Sequence, residues 1–470
     1  MASPAPKKDE GRARRTLHHD GDTIVAIITP PGVGGIAGLR LSGRHCLSFL
    51  DRHFLSASER GASWTPFLMR LGKFVDSKGA VIDEVTAVYM PEGKSYTGEH
   101  QVEIFCHGSR HIATRILETL VASGARVAEP GEFTKMAFLS GRIDLAEAEA
   151  VSEMVSANTE TSLRAAREHL LGAYSEHVND IRERLVDLMA EIEASVDYPE
   201  EAISPADTQR LIALTDNVLD DLKKLLATYN GGRIIREGFR VAIAGRPNAG
   251  KSSLFNLLVR HERALVTPTA GTTRDYLTEW IDIGGHAVCL IDTAGIRGAG
   301  GKIEKVGQAK AKEIMAGADL VLWLFDISTR NWATTLSSDM KKLPKVEIVI
   351  VANKTDKLKH SNVLHKSSMP VSCKTERGID QLIAKIEKTI QSHIPDLTSG
   401  LVVTSARHKS KLSLALNSLK KTRLNITLGV SPELTAVDLR QAVNAIDEIT
   451  GRIYTEEILG RIFSKFCIGK

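Results

Sequence analysis

Apolar and polar positions fall into four successive rhythms along the chain. Between Asp22 and Phe138 the pattern is mixed. The runs DTIVAIITP and AVIDEVTAVYM are apolar and β-branched, which predicts strands. HIATRILETLVASG instead sets Ile112, Ile116, Leu117 and Leu120 on one helical face and ends at Gly124. Residues 22–138 therefore read as a small α+β domain. From Leu139 to Leu226 the spacing is helical almost throughout. Ile181, Leu185, Leu188, Met189 and Ile192 recur at three- and four-residue steps, and Pro199 and Pro205 precede a second run through Leu222 and Leu226. From Phe239 to Ile394, strand-length apolar runs (VAIAG, AVCLIDTAG, DLVLWLFD, VEIVIVANK) alternate with helical segments, as in a parallel α/β sheet. Beyond Gly400 the helical rhythm returns, with Leu412, Leu416 and Leu419, then Leu439, Val443 and Ile446. The economical architecture is an all-α domain, 139–237 plus 396–470, with an α/β domain, 238–395, inserted into it.

Composition narrows the class. At 470 residues, 43% hydrophobic and 25% charged, the chain is an ordinary globular protein of about three domains, not a disordered, collagenous or coiled-coil one. It has no apolar run long enough to cross a bilayer, so no membrane partner is expected. Five cysteines without a CxxC pair speak against a disulfide framework and for a reducing compartment, and a cytoplasmic location is expected. A net charge of +4 permits a nucleic-acid partner without requiring one. Residues 1–21 are polar and lack the apolar core of a signal peptide; they read as a disordered tail, with an organellar targeting segment as the alternative.

The inserted stretch carries the chemistry. Gly245 to Ser252, GRPNAGKS, fits GxxxxGK[ST] between a strand and a helix. Its backbone N–H groups and the helix N-terminus suit phosphate oxygens; Lys251 reaches the β- and γ-phosphates and the Ser252 hydroxyl suits Mg²⁺. Asp292-Thr293-Ala294-Gly295 closes a strand, with Asp292 holding Mg²⁺ through water and the Gly295 N–H meeting the γ-phosphate. Asn353-Lys354-Thr355-Asp356 closes another. The Asp356 carboxylate accepts two hydrogen bonds from guanine, a donor pair that adenine lacks, so this piece selects GTP over ATP. Ser372-Cys373-Lys374 can close over the base, with Cys373 itself a small packed residue. In Gly271-Thr272-Thr273-Arg274-Asp275, Thr273 is the natural second Mg²⁺ hydroxyl. Four pieces in this order, each at a strand's carboxyl end, resemble the translation-factor-like class of GTPases.

One departure is informative. After DTAG comes Ile296, where Ras-like enzymes place a glutamine that orients water. Isoleucine has no donor or acceptor, so the water is organised otherwise. Asn248, with Thr272 and loop carbonyls, can hold a monovalent cation beside the phosphates.

These motifs, together with DTIVAIITPPGVGGIAGLRLSG, SYTGEHQVE, EPGEFTKMAFLSGRIDLAEAEAV and the FCIGK ending, make the chain from Asp22 to Lys470 resemble the MnmE (TrmE) family of tRNA-modification GTPases. The resemblance implies an N-terminal tetrahydrofolate-binding domain, a split helical domain and an inserted G domain. It implies a homodimer working with an FAD-containing MnmG-like protein as a heterotetramer. The pair would add a carboxymethylaminomethyl or aminomethyl group to carbon 5 of the wobble uridine of certain tRNAs. A 5-formyl- or methylene-tetrahydrofolate would supply the one-carbon unit, and GTP would be hydrolysed with Mg²⁺ and K⁺.

The family's site residues carry over position by position. Folate contacts fall on Arg40, Glu103 and Lys470, and on Arg142 where the family has a lysine; arginine keeps that charge but not its shape. Val33 stands where the family usually has an arginine. GTP contacts fall on Asn248, Ala249, Gly250, Lys251, Ser252 and Ser253, on Thr267, Thr269, Ala270, Gly271, Thr272 and Thr273, and on the three later motifs. Asn248, Thr267, Thr269 and Thr272 match the potassium site. Glu304 matches the catalytic glutamate, and Cys467 the cysteine required for modification. The competing readings are a potassium-dependent GTPase switch in ribosome assembly and a pure interaction switch without group transfer.

Overall fold

The computed structural model describes residues 22–57, 63–197, 205–265, 277–293, 301–358, 368–394 and 401–470; for 195–197, 205, 263 and 301–308 it describes the backbone alone. The chain divides into two compact units. The first takes everything up to Ser152 together with Thr450–Lys470, and the second runs from Glu153 to Ile449.

In the first unit the strands are β1 (Ile24–Ile27), β2 (Ile36–Ser42), β3 (Phe54–Ser56), β4 (Arg70–Val75), β5 (Val81–Met90), β6 (Gln101–His107) and β7 (Arg126–Val127). They form one sheet in the order β3-β4-β5-β6-β2-β1-β7, antiparallel except for the β1–β7 pair. Alternation along the strands gives the sheet two faces. One face, with Val25, Leu39, Leu41, Val102 and Ile104, packs on α1 (Cys46–His53) and α2 (Arg110–Ala122); Ile116 and Leu120, predicted for the inner face of this helix, are fully buried. The other face is apolar at Ile24 and Ala26, where Phe133 and Met136 of α3 (Glu132–Leu139) cover it, and polar at Arg40, Ser42, Gln101 and Glu103. Helix α4 (Leu145–Ser156) follows.

The second unit begins with α5 (Glu160–Leu170), α6 (Ala173–Asp197), α7 (Pro205–Ala227) and α8 (Tyr229–Glu237). Helix α5 opens with a capping box, in which Thr159 and Ser162 satisfy each other's backbone N–H groups. The apolar stripe predicted for α6 is real: Ile181, Leu185, Leu188 and Ile192 are all buried. Then come β8 (Phe239–Gly245), α9 (Lys251–His261), β9 (Arg263–Ala264), β10 (Leu277–Ile283), β11 (His286–Asp292), α10 (Gly301–Ala316), β12 (Leu320–Asp326), α11 (Trp332–Met340), β13 (Glu347–Asn353), β14 (Ser368–Pro370) and α12 (Ile379–His393). Their sheet has the order β14-β13-β12-β8-β11-β10-β9. The five strands from β14 to β11 are parallel, and β10 and β9 add an antiparallel edge. The unit closes with α13 (Ala406–Leu428) and α14 (Pro432–Thr450), and α13 packs along α7.

The chain returns to the first unit in α15 (Glu456–Phe463), whose Leu459, Ile462 and Phe463 are buried as their spacing predicts. Gly131, at the start of α3, lies so close to α15 that a Cβ there would meet the Phe463 carbonyl oxygen at 2.7 Å. No described helix is long and apolar enough to cross a membrane.

Candidate functional site

Parallel strands place their carboxyl ends on one edge, and that edge collects the predicted motifs. Register sets Asp326 of β12 beside Asn353 of β13, and Asp292 of β11 beside Ile243 of β8. Strand β8 delivers the phosphate loop to the N-terminus of α9. Gly250, the residue before that helix, has φ +101°, and a Cβ there would stand 2.2 Å from the Asn353 amide nitrogen. Only glycine fits such a backbone so near a neighbour.

Three loops are tied together by one amide. Asn353, buried, donates from Nδ2 to the Ala249 carbonyl at 2.8 Å, and its Oδ1 accepts from the N–H groups of Lys354 (2.8 Å) and Cys373 (3.2 Å). The Lys354 ammonium spans from the Asn248 carbonyl (2.7 Å) to Asp326 Oδ2 (2.6 Å). Burial pushes the Asp326 carboxyl up, but hydrogen bonds from Lys354 and Ser328 outweigh it and hold the group below the usual carboxylate range. Asp356 stands exposed, and Ser372 Oγ donates to its Oδ1 at 2.7 Å. That bond holds the Asp356 carboxyl below its ordinary value. Burial pushes the Cys373 thiol up to about 11, in keeping with a packed, unreactive residue.

The phosphate end is equally built. Lys251 is buried, and its Nζ donates to the carbonyls of Gly245 and Arg246, both at 3.0 Å. Ser252 Oγ donates to Asp292 Oδ2 at 2.8 Å, and Asp292 is fully buried. A hydroxyl and a carboxylate facing each other beside a phosphate loop are hard oxygen donors, the set Mg²⁺ takes. Among the described residues no group of three or more His, Cys, Asp or Glu side chains is placed to hold a metal. Thr293 Oγ1 donates to the Ile243 carbonyl at 2.9 Å, which fixes the start of the DTAG turn. Ser253 lies exposed in the first turn of α9, and Lys374 follows Cys373 in the base loop. Thr267, Thr269, Ala270, Gly271, Thr272, Thr273, Ala294, Gly295 and Ile296 lie outside the described residues, and Glu304 is in α10 where only backbone is described.

The first unit holds a second polar centre. Arg40 and Glu103 are register partners across β2 and β6. Arg40 Nε donates to Glu103 Oε1 at 3.0 Å, and its guanidinium lies over the Tyr96 and Phe133 rings, 4.9 and 5.5 Å from their centroids. Arg142 reaches the Gly93 carbonyl at 2.8 Å and so braces the loop that carries Tyr96. The chain end packs on the end of β1: a Cβ on Gly469, φ +98°, would meet the Ile27 carbonyl at 2.7 Å, one residue from the register partner of Arg40. Cys467 is exposed and its carbonyl accepts from the Gly131 N–H at 3.5 Å; Lys470 is half-buried. Val33 is almost wholly exposed.

Several site residues were not foreseen. Asp326 closes the apolar run LVLWLF, which Asp319 opens, and nothing in the sequence set one of these two carboxylates apart. Tyr96, Phe133 and Gln101 had no signal of their own, because only the sheet brings them to Arg40.

Comparison with known proteins agrees along nearly the whole chain. Residues 23–142 match the family description "GTP-binding protein TrmE N-terminus", and residues 145–467 match "MnmE helical domain". A protein of Roseiflexus sp. (strain RS-1) named tRNA modification GTPase MnmE is 40% identical over 465 residues, 96% of this chain and 99% of that one. Proteins of the same name from Aquifex aeolicus and Akkermansia muciniphila are 39% and 40% identical over 453 and 450 residues, 96% and 95% of this chain and 100% and 99% of theirs. With identity at this level over nearly the full length of both partners, the chain belongs to the MnmE (TrmE) family of tRNA modification GTPases.

Proposed function

We propose that this chain hydrolyses GTP in order to modify tRNA. With an FAD-containing MnmG-like partner it adds a carboxymethylaminomethyl or aminomethyl group to carbon 5 of the wobble uridine, drawing the one-carbon unit from a 5-formyl- or methylene-tetrahydrofolate. It acts in the cytoplasm as a homodimer that joins its partner in a heterotetramer. Its domains are the folate-binding domain 22–138, the helical domain 139–237 plus 396–470, and the G domain 238–395. The observation that supports the group-transfer part is that the paired Arg40 and Glu103 and the Cys467–Lys470 end belong to one compact unit, with Gly469 against β1 beside the strand that carries Arg40. A GTPase switch alone has no use for a carboxylate–guanidinium pair held against two aromatic rings.

In this reading Lys251 and the loop amides bind the phosphates, and Asp356 reads guanine. Ser252 and Thr273 hold Mg²⁺, which supplies charge neutralisation at the phosphates. Asn248, Thr267, Thr269 and Thr272 hold K⁺. Glu304 orients the water that Ile296 cannot. Arg40, Glu103, Arg142 and Lys470 bind the folate. Cys467 acts in or beside the transfer site. Mass spectrometry of wobble uridines from cells lacking the protein tests this: modified uridines should vanish and return on complementation. Unchanged wobble uridines would refute the reading.

A further inference from the structure

The polar band on the second face of the first sheet contains a residue that the folate contacts leave without a task. Gln101 lies two residues before Glu103 on β6, so both project to that face. Gln101 is 1% exposed, while the Glu103 side chain keeps 16%. Gln101 Nε2 donates to Glu103 Oε1 at 3.0 Å. Arg40 reaches the same oxygen with Nε at 3.0 Å and Nη2 at 2.9 Å. Three N–H groups thus converge on one carboxylate oxygen. Among the described residues, none is found bonded to Oε2. Keeping an amide at this place is costly, for the Gln101 Oε1 is buried and meets no protein donor. The amide's other contact is a thioether, Met90 Sδ at 3.6 Å from Nε2, a weak acceptor that an apolar side chain would suit as well.

We propose that Gln101 is a positioning residue that makes Glu103 a one-oxygen acceptor and thereby sets the site's selectivity for a 2-amino-4-oxopteridine; the inference rests on the folate reading above. A carboxylate is free to turn about its last torsion, which is broad and two-fold. With Oε1 occupied by three donors that torsion is fixed, and Oε2 alone faces the ligand. A fixed acceptor penalises a ligand that lacks the matching donor, because the oxygen is then left unpaired. Loss of Gln101 leaves Arg40 alone on Oε1, which loosens that torsion and lets the carboxylate turn toward water and forgive the missing donor.

The test uses the full chain and two probes, 5-formyltetrahydrofolate and its 2-deamino counterpart, with Kd values from calorimetry and the melting temperature measured in parallel. The unmodified protein should prefer the 2-amino ligand. In Gln101→Leu the ratio of the two Kd values should fall by about tenfold, as for one lost hydrogen bond to a charged group, while the melting temperature holds or rises. Gln101→Met repeats the measurement with a second apolar side chain if the leucine variant fails to fold. An unchanged ratio in a folded variant, or a lowered melting temperature with the ratio intact, overturns the assignment and leaves the folate reading standing. Failure of the unmodified protein to bind either probe removes the folate reading and this inference with it.

Discussion

Asp356 stands exposed with Ser372 donating to its carboxylate, and in the proposed reading it receives the guanine base. Guanine offers two donors to its carboxylate and adenine none, so Asp356→Asn should weaken GTP by ~10–100-fold while ATP stays a poor competitor. Competition against a fluorescent GTP analogue measures both; equal competition by ATP with the unmodified chain would remove the assignment. Ser372 adds a pH signature. Its hydroxyl bond to Oδ1 depresses the folded-state value of Asp356, so the ionised, guanine-binding form persists as pH falls and is lost only below the ordinary carboxylate range. Ser372→Ala removes that bond and raises the value. Loss of GTP affinity on acidification should therefore set in at a higher pH in the variant, which a binding titration across pH reads directly. The places of Asp356, Lys251 and Ser252 at strand and helix ends were legible in the sequence, because each motif borders a run whose apolar pattern marks the element. Asp326 was not, since its task, an ion pair with Lys354 across neighbouring strand ends, exists only once β12 and β13 pair in register.

Strands and helices were legible wherever periodicity was strong. The stripe on α6 and the alternation of β8 to α12 read directly from residue spacing, because burial of one face imposes a period. The first sheet was only half legible. Its polar second face breaks alternation at Arg40, Gln101 and Glu103, and nothing local to the chain reveals that three separate stretches of sequence converge there. The loops on the nucleotide edge divide in the same way. Asn353 ties the phosphate loop to both base loops, while the threonines proposed to hold K⁺ with Asn248 stand in the sequence between β9 and β10, outside the described residues. Its chemistry is checked in solution. With Ile296 unable to orient water, GTP turnover should be about tenfold or more faster in potassium than in sodium at equal ionic strength. Equal rates would dismiss the cation and point to an arginine from a partner.

In the proposed reading, nucleotide and group-transfer chemistry fall in different compact units. Its cysteines sharpen the distinction. Burial pushes the Cys46 thiol up to about 12 and those of Cys106 and Cys289 to about 11, whereas Cys467 alone of the five is exposed. Cys467→Ser should keep the GTPase rate and nucleotide affinity and abolish wobble-uridine modification; a serine variant that modifies tRNA fully would take the thiol out of the chemistry. The division of the chain has a further consequence for its biogenesis. The first unit is built from two stretches separated by all of 153–449, and its second stretch, with α15 and Gly469, packs directly on α3 and β1. On the ribosome the N-terminal sheet emerges early, yet the surface at Ile27 and Gly131 stays uncovered until the whole second unit has been translated. A nascent chain stalled inside the second unit would therefore carry an N-terminal sheet still open where its C-terminal stretch should pack.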